Sequence, residues 1–286
     1  MAGRLLVVGT PIGNLGDLTP RAADALRTAN LVVAEDTRLA QRLLAHLGAR
    51  RQVTAFNDHN AVERLPALLA RLAAGETLAL TTDAGMPAVS DPGARLVTAA
   101  RDAGASVEVL PGPSAVTAAL AVAGVEAVGF VFGGFIPARP AAVRNAVLER
   151  LLAASGATGL PLVLFEAPHR ISALLTALER IAPAARVAAC RELTKLHEEV
   201  LIGSPAEVRA RLAEPRGEFT LVISHVLAPD AEATPFDAPA LVAAATRAEL
   251  PPRTIVELLR AAGMPRRAAY RAVAPADRQR VSRGDS

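Results

Sequence analysis

Short apolar runs recur along this chain, each ending in a turn rich in glycine, proline or acid and leading into an amphipathic helical pattern, and this alternation leaves few folds open. The runs at 4–9 (RLLVVG), 31–35 (LVVAE), 77–82 (TLALTT) and 106–111 (SVEVLP) are almost continuously hydrophobic, as strands covered on both faces must be. Helices are expected to begin near Thr19-Pro20, where threonine caps and proline fills the first turn, near Asn60, and at Asp91-Pro92. The pattern predicts β-α-β units, a largely parallel sheet and an N-terminal α/β domain over 1–112.

A second α/β domain is expected over 113–227. Its strands are predicted at 130–135 (FVFGGF), 160–166 (LPLVLFE), 186–190 (RVAAC), 198–203 (EEVLIG) and 217–226 (GEFTLVISHV), with helices after Ala141, after Pro168 and over 205–213. Residues 228–240, rich in Ala, Pro and acids, read as a linker. Within the remaining 241–286, the stretch 251–273 reads as two short helices joined at Gly263-Met264-Pro265. The fold class is therefore α/β, two such domains plus a small helical C-terminal appendage, and 286 residues suffice for sizeable cores.

Composition excludes several functions. A single cysteine, Cys190, allows no internal disulfide and no Cys/His metal spacing, so a reducing cytosol is the expected compartment and no metal site is expected. The N-terminal apolar run is too short for a signal peptide, and the charge-free stretch 109–125 is too short for a membrane span and contains two prolines. A soluble protein is expected. Net charge is only +3, but 246–286 carries nine arginines against four acids. Such an end can bind phosphate by counterion release or form a solvated helix face, and charge alone leaves both readings open.

Four turns and one charged word carry the candidate chemistry. The turn in VVGTPIGNLGD (7–17) sets Gly9, Gly13 and Gly16 after the first strand, at the edge where parallel sheets bind ligands. Its spacing matches neither a GxGxxG nor a Walker A loop, so only Asp36, after the second strand, supports a dinucleotide reading. In TTDAGMPAVSDPG (81–93), Asp83 suits a ligand hydroxyl or cation, Gly85 permits close approach, and Asp91 is expected to cap the next helix. Ser114 in LPGPSAV (110–116) opens a helix whose free N–H groups suit a carboxylate, or it serves as a plain cap. FEAPHR (165–170) gathers Glu166, His169 and Arg170 at a strand end. CRELTKLHEE (190–199) holds Lys195, the only lysine beside thirty arginines. Either the word is a solvated ion-pair cluster, or this position needs a compact ammonium where a planar guanidinium does not fit.

Taken together, GTPIGNLGDLTPRA (9–22), AEDTR (34–38), DAGMPAVSDPG (83–93), PGPSA (111–115), GFIP (134–137), FEAPHR and RELTKLHEE (191–199) closely resemble the tetrapyrrole methylase family, and within it the branch that methylates small-subunit ribosomal RNA. The resemblance runs from residue 3 to about 226. It implies S-adenosylmethionine in a cleft between two α/β domains, a cytoplasmic homodimer, and 2′-O-methylation of a cytidine ribose in the decoding region of 16S ribosomal RNA. Carried over, Pro11, Asp83, Ala84, Met86, Ser114, Ala115, Phe165 and Thr220 would hold the cofactor. Lys195, in an electrostatic or base role, and Glu192 would serve catalysis. Arg38, His59, Glu166, His169, Arg170, Arg266 and Arg267 would hold RNA. The nearest rival is a carbon methylase of a tetrapyrrole on the same fold. A nucleotide- or RNA-binding module without catalysis is the second.

Overall fold

The runs at 4–9, 31–35 and 77–82 become the inner strands of a sheet covered on both sides, whereas 106–111 becomes a largely exposed edge strand. In a computed structural model, β1 (Arg4–Val8), β2 (Leu31–Ala34), β3 (Val53–Ala55), β4 (Thr77–Leu80) and β5 (Ser106–Leu110) lie in the order β3-β2-β4-β1-β5, every pair parallel. The structure describes residues 3–212, 216–224, 238–247, 250–261, 264 and 266–273. Successive strand residues point to opposite faces. Leu6, Val8 and Val32 pack with Leu26 of α1 (Pro20–Thr28) and with Leu43 and Leu44 of α2 (Thr37–His46). Leu5, Leu31, Val33 and Leu78 pack on the other face with Leu68 and Leu72 of α3 (Ala61–Ala73) and Leu96 of α4 (Gly93–Asp102).

The second sheet corrects the parallel expectation. Its strands β6 (Val131–Phe135), β7 (Leu162–Glu166), β8 (Arg186–Arg191), β9 (Glu199–Gly203) and β10 (Phe219–Ser224) run in the order β6-β7-β10-β8-β9. Only β6 and β7 are parallel; the other three pairings are antiparallel. The cause is connection length. Seven residues separate β8 from β9, too few for a parallel crossover. On one face pack α6 (Ala141–Thr158), α7 (Ile171–Ile181) and α8 (Pro205–Arg211), through Leu148, Leu175, Leu178 and Val208. The opposite face is covered by α5 (Ala115–Ala123), whose Val116 and Ala119 meet Val163, Ala188, Cys190 and Val222, and by Ile12 from the loop after β1.

Strand ends fall within a residue or two of expectation, whereas α2 and β3 were not anticipated. Both sheets belong to one compact unit, Met1–Val226, and a second unit spans Leu227–Ser286. In the second, α9 (Ala238–Arg247), α10 (Pro252–Ala261) and α11 (Arg266–Val273) share a small core of Ala245, Ile255, Val256, Leu259 and Ala269. Residues 238–240 of the expected linker are the start of α9, with 228–237 outside the described residues, while α10 and α11 stand where two helices were expected over 251–273. Gly263 and Pro265 also lie outside the described residues. Among the described residues, no helix is long and apolar enough to cross a membrane.

Candidate active site

Parallel strands deliver their following loops to one edge, and here three of them interlock. A Cβ on Gly9 would lie 2.6 Å from the Gly112 nitrogen and 2.7 Å from the Met86 sulfur, so only glycine lets the loops after β1 and β5 touch. Thr10 and Gly85 exchange backbone hydrogen bonds of 2.8 and 3.2 Å, pinning the loop after β4 to the loop after β1. Gly85 has φ +80°, and Ala88 and Ser90, with φ of 69° and 64°, hold left-handed conformations that side chains resist. Strain of this kind costs on the order of 1–3 kcal/mol per residue and persists where the surroundings enforce it. Asp91 performs the expected capping one position early: its carboxylate accepts from the N–H groups of Gly93 (2.7 Å) and Ala88 (2.9 Å), while Pro92 occupies the cap itself.

The second sheet closes the space above these loops. Phe165 at the end of β7 packs edge-on against Phe132 at 5.2 Å and tilted against Phe135 at 5.4 Å. Between the loops and these rings lies a cavity of about 410 Å³, a size suited to a small organic ligand. Asp83, Ala84, Met86, Ser114, Ala115, Phe165 and Thr220 all line it. Pro11 does not; its neighbour Ile12 does. Sequence reasoning passed over Ile12, Ser90, Phe135, Cys190, Leu193 and Glu218 in this wall. Ser90 lay within the 81–93 word and Glu218 two residues before Thr220, so proximity to a flagged residue was the available signal.

Charge is unevenly distributed around the cavity. Burial raises the Asp83 carboxyl above its usual range, against the opposing bond it accepts from the Asp36 N–H at 2.9 Å. Behind it, burial and then the Asp83 charge raise Glu35, whose carboxylate accepts from the Thr82 hydroxyl at 3.2 Å. Glu166 is 2% exposed, and burial raises it despite its 2.8 Å ion pair with Arg170 and a 2.8 Å bond from the Ala167 N–H. In the same cavity wall, Ser114 stands at the N-cap of α5 but makes no side-chain cap bond. The first-turn N–H groups of that helix thus keep the partial positive charge of a helix start. Cys190 has its thiol pushed up to about 12 by burial, so at neutral pH it is a protonated wall group.

Beside the cavity, Lys195 sits between two carboxylates, 2.8 Å from Glu192 and 3.0 Å from Glu218. Burial works against its charge, but the hydrogen bonds to Glu192 and Glu218 outweigh it and raise its pKa. The group is an ammonium. Both ion pairs favour the charged form, which suits the electrostatic half of the role expected of it better than the base half. The aliphatic stem lies over Gly13, where a Cβ would clash with Lys195 Cγ, and the Asn14 N–H donates to the Thr194 hydroxyl at 3.1 Å. Glu192 (φ 51°) and Thr194 (φ 68°) add two more strained residues. The glycine turn and the lysine word, 180 residues apart, form one contact.

The remaining candidates are more dispersed. Arg38 is exposed and held by Asp36 at 2.6 Å, its guanidinium bond drawing the Asp36 carboxyl down to about 2. His59 and His169 are exposed and outside the cavity wall. Arg170 is turned inward onto Glu166 and the Ile136 carbonyl. Arg267 is exposed on α11, and the Arg266 side chain lies outside the described residues. Among the described residues, no group of three or more His, Cys, Asp or Glu side chains could hold a metal ion.

Residues 4–209, which supply almost all of both sheets and most of the cavity wall, match the model of the Tetrapyrrole (Corrin/Porphyrin) Methylases. The chain belongs to this family. As a tetrapyrrole methylase it has relatives called Ribosomal RNA small subunit methyltransferase I. The one from Xylella fastidiosa (strain Temecula1) is 42% identical over 274 residues, covering 94% of this chain and 98% of the relative. That from Mycobacterium tuberculosis (strain H37Rv) is 46% identical over 236 residues, 81% of this chain and 80% of the relative. Solved structures share the fold. Diphthine synthase aligns with a TM-score of 0.64 at 15% identity, over 78% of this chain and 90% of the other. Uroporphyrin III C-methyl transferase from Thermus thermophilus aligns at 0.56 and 20%, over 78% and 97%.

Proposed function

We propose that this methylase transfers the methyl group of S-adenosylmethionine to a ribose 2′-hydroxyl in small-subunit ribosomal RNA, a cytidine of the decoding region by its resemblance. The carrying observation is the juxtaposition in one cavity of a carboxylate, Asp83, and an uncapped helix start at Ser114-Ala115. A ligand bearing both a cationic centre and a carboxylate fits that pair, and S-adenosylmethionine is such a ligand. Its sulfonium supplies an activated methyl, so the protein mainly aligns groups and accepts a proton. Asp83 and the first turn of α5 would fix the amino-acid end, and the Phe165 ring and Met86 would pack on the adenosine.

Glu166, buried at the cavity wall with a raised pKa, is suited to take the hydroxyl proton, with Arg170 setting its position. Lys195, clamped by Glu192 and Glu218, supports developing negative charge at the rim as an ammonium. Arg38, His59, His169 and the arginines of the second unit, Arg266 and Arg267 among them, remain proposed RNA contacts. So do a division of the first unit near residue 112, a homodimer and a cytoplasmic location. Incubating the protein with S-adenosylmethionine and either small ribosomal subunits or a porphyrinogen tests the reading. Methyl transfer to ribosomal RNA is expected; transfer to the porphyrinogen alone would assign the chain to the carbon-methylating branch.

A further inference from the structure

The segment 37–57 carries Arg38, Arg42, His46, Arg50 and Arg51 and not one carboxylate. Ala40, Leu43 and Leu44 turn α2 into the core, which leaves Arg38, Arg42 and His46, spaced four apart, as one exposed stripe. Arg38 is neutralised by Asp36. Among the described residues, no carboxylate lies within ion-pair distance of Arg42, Arg50 or Arg51; Arg51 instead donates to the backbone carbonyl of Arg27 and keeps its full charge. Where the helix ends, a groove of about 510 Å³ is lined by Gln41, Ala45, Gly48, Arg50 and Arg51. The last carbonyls are already satisfied, Ala45 by the Gly48 N–H at 3.0 Å and Leu44 by the Ala49 N–H at 2.9 Å, so they do not offset the arginines.

The other end of the helix is tied to the cavity, because the Asp36 N–H bonds Asp83. Ten helical residues span on the order of 15 Å, enough to pass several phosphates. We infer that the α2 stripe and the groove at its end form a track for the phosphate backbone of RNA, leading from the cavity mouth along the flank of the first sheet. The inference rests on the proposed methylation of RNA. An acidic protein partner suits the face less well: its exposed apolar surface amounts to Leu39, without the aromatic core such interfaces use. Arg50 and Arg51 stand side by side with no carboxylate partner among the described residues, and a polyanion relieves the repulsion between them while releasing counterions.

The test is a full-length variant with Arg42→Gln, Arg50→Gln and Arg51→Gln, its affinity for small ribosomal subunits measured over a range of salt concentrations, with S-adenosylmethionine affinity measured in parallel. Affinity is expected to fall at least tenfold, and log affinity against log salt to become shallower by about two, near 0.7–0.9 for each lost phosphate contact. Cofactor affinity should be unchanged. The corresponding triple lysine variant should restore the slope, and each single glutamine variant should shift it in proportion. If the wild type binds ribosomal RNA and the glutamine variant keeps both affinity and slope, the track is wrong while the methyltransferase reading stands. If the wild type shows no affinity for ribosomal RNA, both fall.

Discussion

At Glu166, burial and an ion pair act in opposite directions on one carboxyl, and burial prevails. A group whose pKa is raised takes up a proton more readily, so a rate that depends on ionised Glu166 falls as pH drops through a value above the ordinary 4.5. Glu166→Gln should lower kcat at least tenfold and abolish that acid limb, with S-adenosylmethionine affinity within about threefold of wild type by calorimetry. An unchanged acid limb would remove Glu166 from the chemistry. Lys195→Arg, keeping the charge but not the compact shape over Gly13, should cost about tenfold in kcat at constant cofactor affinity. Near wild-type turnover would make the lysine a structural ion-pair member only. The arginine background singled out Lys195 as an unusual position. Its partner Glu218 lies 23 residues away and its contact with Gly13 182 residues away, so no local pattern could reveal what it touches.

Among the elements, α2 links the site to the rest of the first sheet. Asp36 is its N-cap, with an oxygen 2.8 Å from the Arg38 N–H and a carboxyl depressed to about 2. A depressed carboxyl stabilises the fold above its unfolded pKa, near 3.8, and that contribution disappears as pH falls toward 2. Asp36→Asn keeps the cap oxygen but not the charge. Urea unfolding over this interval should therefore show a shallower loss of stability in the variant, and parallel curves would refute the assignment. Long apolar strands and capped helices were legible because period and caps are local properties. The three half-buried residues of β3 are too few to show a period, and AEDTR, noticed as a motif, hid the helix that its own aspartate caps. Ser114 was legible as a helix start, but not the absence of its cap bond.

For the whole molecule, the strands of both sheets were readable but the antiparallel pairing of the second was not, because β10 inserts between β7 and β8 after the chain has left both. Most of the cavity wall was nonetheless marked by the glycine and proline turns, since irregular backbone after a buried strand collects at the carboxyl edge of a parallel sheet. The second unit contributes charge: Arg260 and Arg267 are exposed on α10 and α11. Arg260→Glu with Arg267→Glu should weaken binding to small ribosomal subunits severalfold and flatten its salt dependence, leaving cofactor affinity intact. Equal RNA affinity would confine recognition to the first unit. The central claim is tested most directly by mass-spectrometric mapping of 16S ribosomal RNA from small subunits incubated with S-adenosylmethionine and either the wild type or Asp83→Asn. A single new ribose methyl, present with the wild type and strongly reduced with the variant, is the predicted result. An RNA left unmodified by a wild-type protein that binds S-adenosylmethionine would contradict it.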